Sequence, residues 1–160
     1  MVWKINYVSE LQIVELIFSG QVTGPELQHA AAARIDFGQA KGASKYLIDA
    51  QEMRAESSLT LDVIDIPAVV YYEKKMDRRS RIAVVSPRDP DSRWISRFYE
   101  DASANRGWRV RTFGDRESAL DWLQYLEAWR AEGRMRGLRL QRRTWRGRPA
   151  QGSTVLIRGL

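Results

Sequence analysis

Few side chains in this sequence are of the types that perform catalysis, and none stands in a spacing typical of an active site. His29 is the single histidine, and it lies inside a predicted helix beside Gln28 and Ala30. The sequence contains no Gly-x-Ser-x-Gly turn, no glycine loop of the two common phosphate-binding types and no cysteine. It therefore predicts a protein that is not an enzyme, with no catalytic residue, no metal site and no cofactor.

Carboxylates near the end of a predicted strand are the next candidates for chemistry. Asp49 ends a short apolar run, and Glu52, Asp62 and Asp65 follow it. Ligands of parallel sheets bind beyond the carboxyl ends of the strands, where these carboxylates could hold Mg²⁺ or serve an enzyme. We favour the simpler interpretation, in which Asp49 caps a loop and the other aspartates are the solvated positions of a helix.

Ser57 and Ser58 precede an apolar helical pattern and are candidate phosphoacceptors. A phosphate at the N-terminus of a helix is electrostatically favourable. A serine in this place is equally well explained as the N-cap of the helix. The two serines therefore leave both interpretations open.

Residues 59–72 are more apolar than a helix with one buried face requires, and a basic run follows them. One interpretation is a pair of helices that covers one face of a sheet. The other is a movable helix that closes a hydrophobic pocket or lies in a membrane interface, with the basic residues on anionic headgroups. The residues that would contact an apolar ligand or a membrane are Leu59, Leu61, Ile64, Val69, Tyr71, Tyr72, Lys74 and Lys75.

The formal net charge of +6 is concentrated at the C-terminus, because residues 127–160 contain nine arginines and two glutamates while residues 1–126 are nearly neutral. An arginine-rich segment with an aromatic residue could bind a polyanion and stack on a base. It is also explained as a solvated, disordered extension or as a segment that packs on another subunit. Nucleic acid is therefore a weaker partner hypothesis than a membrane or a protein. The residues that would contact a polyanion are Arg139, Arg142, Arg143, Trp145 and Arg146.

Five short runs predict the strands that would position these residues. Residues 2–8 alternate as a half-buried edge strand, and residues 11–18 are its predicted hairpin partner. The apolar runs at 45–50 and 81–87 are typical of buried parallel strands, and residues 108–113 alternate again.

Four helices are predicted between and after these strands. Thr23 and Glu26 form a capping box for a helix that ends near Gly38. A second helix covers residues 59–66, a third begins at Asp89-Pro90 and a fourth is capped by Asp115.

The alternation of strands and helices predicts an α/β fold: a five-stranded, mostly parallel sheet with an antiparallel edge strand and about four helices. Residues 1–126 form this domain, and residues 127–160 are an arginine-rich C-terminal extension. The absence of cysteine suits a reducing compartment, and no segment reaches the ~20 apolar residues that a membrane span needs. We expect a cytoplasmic protein, with peripheral membrane association left open.

Four stretches resemble the SpoIIAA-like proteins, a branch of the STAS fold with similarity to CRAL-TRIO lipid-transfer domains. They are YLIDA, LTLDVIDIPAVVYYE, RIAVVSP and NRGWRVRTFGDRESALDWL, and the resemblance covers residues 2–126. It implies uses that include partner switching of the anti-anti-sigma kind, protein docking, hydrophobic ligand binding and peripheral membrane association. One departure concerns the phosphoacceptor loop of regulatory STAS proteins, because here no Asp precedes Ser57 and no Gly follows Ser58.

The leading hypothesis is a non-enzymatic STAS-type binding module whose partner is an apolar small molecule or an anionic membrane surface. The alternative is a partner-switching regulator that docks a protein near Ser57 and Leu61. A homo-oligomer stays open, and an enzyme that uses Asp49 is a third hypothesis.

Overall fold

The computed structural model describes residues 2–124, so the predicted extension at 127–160 and its arginines lie outside the described residues. A five-stranded sheet with the order β1-β2-β3-β4-β5 forms the centre of the fold. Only the pairing of β1 with β2 is antiparallel, and the other three pairings are parallel. This confirms the predicted sheet and its antiparallel edge strand. The strands are β1 (Trp3–Val8), β2 (Ile13–Gln21), β3 (Lys45–Arg54), β4 (Arg81–Val85) and β5 (Arg109–Phe113).

The two strands that follow the first differ from the prediction at their ends. β2 begins at Ile13 because residues 9–12 form the hairpin turn, in which Gln12 has a φ of 55°. It runs on to Gln21, past Gly20, because its last residues pair with the end of β3, where Gly20 faces Met53. Polar residues at the ends of both strands hide this pairing from a hydrophobic pattern.

Four helical segments connect and cover the strands. α1 is Gly24–Lys41, α2 is a continuous composite segment at residues 57–73, α3 is Trp94–Ala104 and α4 occupies residues 116–124. The first three each join one parallel strand to its next neighbour in the same direction. Because such crossovers are right-handed, they place all three helices on one face of the sheet.

The N-terminus of α1 is fixed by the predicted capping box. The Thr23 N–H donates to Oε2 of Glu26 at 2.8 Å, and the Glu26 N–H donates to Oγ1 of Thr23 at 3.4 Å. The helix continues past Gly38 and ends at Gly42, whose φ of 66° forms the left-handed cap. Gly38 lies inside the helix and allows the Tyr46 ring to pack closely, because a Cβ there would lie 2.5 Å from Cε1 of Tyr46.

The composite helix α2 changes its winding along its length. Ser57–Leu59 is a 3₁₀ turn, Thr60–Asp65 is α-helical, Ile66–Val70 is a π-helical turn and Tyr71–Glu73 is α-helical again. Pro67 lies in the π turn, where it has no N–H to donate. The Tyr71 N–H donates to the Ile66 carbonyl, and the Pro67 carbonyl accepts from the indole Nε1 of Trp108 at 3.3 Å.

The sheet separates two hydrophobic cores. The larger core lies between the sheet and α1, α2 and α3. On the other face, Ala119 and Leu123 of α4 pack on Ile13, Leu47 and Val85. Asp115 precedes α4 and accepts from the Ser118 N–H at 2.8 Å, as expected of an N-cap.

Candidate functional site

A cavity lies inside the larger core, between the sheet and the three helices that cover it. The space inside it that a water-sized molecule can occupy is about 50 Å³. This is well below the ~300–1,000 Å³ typical of small-molecule sites, so a ligand of that size fits only when the walls move apart. Its walls are almost entirely apolar. The sheet contributes Leu16, Phe18, Ile48, Ala50, Met53 and Val84, and the helices contribute Leu27, Ala31, Arg34, Val63, Ile66, Ile95, Ser96 and Tyr99.

Arg34 is the one charged residue in the wall of this cavity. It belongs to α1 and is fully buried. Its guanidinium carbon lies 5.1 Å from the ring centroid of Tyr46 and 5.6 Å from that of Tyr71. Nη2 donates to the Tyr71 hydroxyl at 2.9 Å. Two aromatic rings and one phenol oxygen therefore surround the buried cation.

The rest of the guanidinium has no partner among residues 2–124. Nε and Nη1 of Arg34 are buried, and no described residue accepts a hydrogen bond from them. No ion pair joins Arg34 to a carboxylate within residues 2–124. Because arginine stays protonated and buried charges are normally paired, this arrangement is costly and points to an anionic or acceptor group that residues 2–124 do not supply.

Tyrosine hydroxyls from two helices meet beside Arg34. The hydroxyls of Tyr71 and Tyr99 share a short hydrogen bond. Burial raises the pKa of Tyr99 well above its usual value, Tyr71 adds to the rise, and the Arg34 charge offsets only part of it. Burial also raises the pKa of Tyr46, again against the opposing effect of Arg34. The hydroxyls of Tyr46 and Tyr99 are therefore neutral at physiological pH, and Arg34 carries the one charge in the cavity wall.

The sequence comparison decides the family. A family model described as SpoIIAA-like matches residues 13–124. This chain belongs to the SpoIIAA-like family. It is also similar to a crystal structure of an uncharacterized protein of the DUF3478 family with a SpoIIAA-like fold, from Shewanella loihica PV-4. The identity is 17%, the TM-score is 0.48, and the alignment covers 76% of this chain and 91% of that chain. The comparison with curated proteins gives no match.

The match to the SpoIIAA-like family model confirms the family predicted from the sequence, and the five-stranded sheet confirms the predicted α/β fold. The protein is therefore a STAS-type module. No helix within residues 2–124 is long and apolar enough to cross a membrane.

The predicted ligand or membrane residues of this SpoIIAA-like domain fall on different faces of α2. Leu59 and Tyr71 are buried in the core, and Ile64 is half-buried. Leu61, Val69 and Tyr72 point outward and are 73%, 42% and 54% exposed. The cavity wall contains none of these six residues; Val63 and Ile66 line it from α2 instead.

The basic residues after α2 are partly neutralised. Nζ of Lys74 lies 2.8 Å from Oδ2 of Asp36, whereas Lys75 is exposed. Arg78 stacks on Trp108, with its guanidinium carbon 3.9 Å from the ring centroid, and donates to the Tyr72 hydroxyl at 2.7 Å. Arg78, whose contacts here are with aromatic side chains, therefore places positive charge beside the exposed Tyr72.

The two candidate phosphoacceptors lie at the start of α2. Ser57 and Ser58 are both exposed, and the Ser57 carbonyl accepts from the Thr60 hydroxyl at 2.7 Å. The residue that precedes them, Glu56, makes no side-chain cap. The serines are accessible, but neither contacts the cavity.

The predicted carboxylates do not come together. Asp49 lies on the face covered by α4, 3.7 Å from Nη1 of Arg116. Asp62 belongs to α2 on the opposite side of the sheet, where it accepts from Gln28 at 3.2 Å. Within the described range, no three His, Cys, Asp or Glu residues are grouped so that they could hold a metal ion.

Sequence reasoning missed Arg34, although a signal for it exists. Arg34 lies seven residues after Leu27 and three after Ala31, so it falls in the apolar stripe of α1.

The candidate polyanion residues Arg139, Arg142, Arg143, Trp145 and Arg146 lie outside the described residues.

Proposed function

We propose that this protein is a non-enzymatic, cytoplasmic binding module that holds an apolar ligand in the cavity beneath α2, which widens when α2 moves outward. The observation that carries the proposal is the cavity itself, because an almost wholly apolar space inside the core of a small domain is unusual in a close-packed interior. Apolar walls favour an apolar guest by removing its surface from water.

The composite helix α2 has the features of a cover that can move. Its inner side supplies Val63 and Ile66 to the cavity wall, while its outer side leaves Leu61 and Val69 exposed. The π turn interrupts the regular winding at Ile66–Val70 and contains one residue of each pair, Ile66 and Val69. Such turns occur frequently at functional sites.

A cavity-filling substitution tests the proposal. Ala31 lines the cavity from α1, so Ala31→Leu should occupy the space a ligand needs and reduce binding of 1-octanol by ~10-fold or more. Binding is measured by isothermal titration calorimetry on the full chain. Ala40→Leu is the matched control, because Ala40 is exposed on the same helix.

The two variants separate the outcomes. Loss of octanol binding in Ala31→Leu alone, with an unchanged or higher melting temperature, supports the cavity as the site. Equal binding by both variants, or no binding by the wild type, contradicts the proposal.

Peripheral membrane association is a second candidate, favoured by the exposed apolar side chains of α2. Leu61 and Val69 face solvent outside the cavity, with Lys75 and Arg78 nearby in the sequence. We expect Leu61→Ser with Val69→Ser to reduce co-sedimentation with anionic liposomes while leaving octanol binding unchanged, because neither residue lines the cavity. Unchanged sedimentation of this variant, or none by the wild type, rules out this surface.

Partner switching remains the alternative, favoured by the accessibility of Ser57, Ser58 and Leu61 at one end of α2. A protein would dock there, and phosphorylation of either serine would add negative charge to its contact surface. Ser57→Ala with Ser58→Ala should then abolish phosphate incorporation by a cell extract. An unmodified wild-type protein under those conditions argues against the switch.

A further inference from the structure

We propose that the ligand of the cavity is an amphiphile with a carboxylate-type head; once α2 has moved outward, its apolar chain fills the widened cavity and its anionic head lies against Arg34. This inference rests on the proposed function and adds the chemical class of the ligand. The deciding feature is a fully buried arginine in the wall of an otherwise apolar cavity.

The first step is the set of donors that Arg34 leaves without a partner. Nε carries one N–H and Nη1 carries two, and neither nitrogen has an acceptor in the part of the chain that the structure describes. Buried donors normally find a partner, since an unmatched one loses its hydration without replacement. Arg34 is fully enclosed, so an acceptor restores these hydrogen bonds only when α2, which covers the guanidinium with Tyr71, moves outward.

The second step is charge. Tyr46 and Tyr71 present their rings to the guanidinium, and Tyr71 accepts one hydrogen bond. These groups attract the cation without neutralising it, and no carboxylate of residues 2–124 forms an ion pair with it. A carboxylate suits this place because the planar guanidinium matches its geometry and because the charged hydrogen bond gains strength in a dry environment.

The third step is the rest of the wall. Apart from Ser96 and Tyr99, whose hydroxyls are already hydrogen-bonded to other protein groups, the remaining wall is apolar. A small hydrated anion would lose its hydration shell on entering the cavity and would gain only the contact with Arg34. An anion that carries an alkyl chain gains from the apolar walls as well, so both parts of the cavity select an amphiphile.

A series of ligands with equal chains and different heads tests the inference on the full chain. The probes are octanoate, 1-octanol and octylammonium at pH 7.5, below their micelle concentrations, with acetate as the head without the chain. We expect octanoate to bind ~10-fold or more tightly than octanol, octylammonium to bind most weakly of the three, and acetate to show no saturable binding. In ¹⁵N-edited spectra, the side-chain Nε–H signal of Arg34 should shift with octanoate.

Arg34→Met supplies the decisive variant, because methionine keeps an apolar stem of similar length without the charge. It should bind octanol as the wild type does and lose the preference for octanoate. Arg97→Met is the matched control, since Arg97 is exposed on α3, and it should keep the preference. If Arg34→Met fails to fold, Arg34→Lys takes its place. Because lysine retains the charge, this variant should keep part of the preference for octanoate over octanol.

The outcomes separate the two proposals. Equal binding of octanol and octanoate by the wild type overturns the anionic head and leaves the apolar site intact. A preference for octanoate that survives Arg34→Met also overturns it, because another cation would then be responsible. If none of the chain-bearing probes binds, both the inference and the proposed function fail.

Discussion

Tyr99 shows how one buried side chain couples the site to pH. Its hydroxyl contacts that of Tyr71, and burial keeps its pKa well above the usual value. Ionisation in the folded protein would place a phenolate in the apolar core. In the unfolded chain the same hydroxyl ionises near pH ~10. The two states therefore bind different numbers of protons at alkaline pH.

The sign of this linkage gives the first prediction. Because the folded-state pKa is raised, the contribution of Tyr99 to stability is fully present below pH ~10 and is lost as pH rises above it, by up to ~1.4 kcal/mol per pH unit. Tyr99→Phe should flatten the alkaline fall in the free energy of unfolding, measured by urea denaturation between pH 9 and 11. Tyr72→Phe removes an exposed hydroxyl and is the control. An alkaline slope in Tyr99→Phe equal to that of the wild type contradicts the prediction.

Gly38 shows a packing constraint that runs against helix propensity. In the interior of a helix, replacing glycine by alanine normally stabilises by ~0.5–1 kcal/mol. Here the added Cβ would lie 2.5 Å from Cε1 and 2.6 Å from Cζ of Tyr46. Tyr46 is buried against Arg34, so its ring has little room to move.

We therefore predict that Gly38→Ala lowers the free energy of unfolding by ~1–3 kcal/mol, the range for overpacking a close-packed core. Urea denaturation monitored by circular dichroism measures the change. In a Tyr46→Leu background the obstructing ring is gone, and the same substitution should become neutral or stabilising. A stabilising Gly38→Ala in the wild type would mean that propensity outweighs the contact.

At this scale the sequence pattern reveals which positions are apolar but not which polar residue is buried among them. Arg34 falls in the stripe of α1, yet long basic side chains at a stripe edge usually reach the surface. Its burial depends on Tyr46 of β3, Tyr71 of α2 and Tyr99 of α3. These contacts come from three separate elements, so no local pattern predicts them.

At the scale of elements, Trp108 determines how α2 is held. Its indole donates to the Pro67 carbonyl, and its ring lies edge-on to Tyr71 with centroids 4.9 Å apart. The carbonyl needs this donor because the Tyr71 N–H bonds to Ile66 instead. Trp108, which immediately precedes β5, thus supplies the hydrogen bond that the Pro67 carbonyl loses through the π turn, 41 residues earlier in the chain.

Trp108→Phe should leave the Pro67 carbonyl unsatisfied and cost ~1–3 kcal/mol of stability. The larger effect should be local, because α2 loses the contact that fixes its irregular turn. Hydrogen–deuterium exchange should accelerate across residues 66–74 and remain unchanged in α1. Trp122→Phe on the opposite face, where Trp122 packs on Phe113, is the control. Equal acceleration in both variants would show general destabilisation rather than release of α2.

The existence and order of the elements could be predicted because each has a local signal, such as the Thr23–Glu26 box or the alternation in β5. The ends of β2 and β3 could not, since their last residues pair only with each other. The π turn also escapes prediction. Pro67 marks an interruption in the sequence, but whether a helix breaks or rewinds there depends on Trp108.

At the scale of the whole domain, the two faces of the sheet differ in packing. One face carries α1, α2 and α3 and contains the cavity, while α4 closes the other face over a small core. A long-range ion pair attaches this helix: Arg116, at the start of α4, contacts Glu15 of β2 across 101 residues of sequence. Asp49 lies 3.7 Å from the same guanidinium nitrogen.

This ion pair joins a buried carboxylate to a half-buried cation, since the side chains of Glu15 and Arg116 are 6% and 39% exposed. Removing one partner of a fully buried pair costs ~3–5 kcal/mol, whereas exposed pairs contribute ~0–1 kcal/mol. Arg116→Met should therefore destabilise the protein by ~1–3 kcal/mol in urea denaturation. Arg79→Met breaks an exposed pair with Asp77 and should cause no measurable change.

A double-mutant cycle decides whether the loss belongs to the pair or to the stem of the arginine. Glu15→Gln keeps the shape of the side chain and removes the charge, so Arg116→Met should cost less in that background. An equal cost in both backgrounds would mean that the apolar stem of Arg116 packs α4 onto the sheet and that the charge contributes nothing. Octanol binding should survive in every member of the cycle, because none of these residues lines the cavity on the opposite face. Loss of binding would instead show that closure of the α4 face also stabilises the cavity side of the sheet.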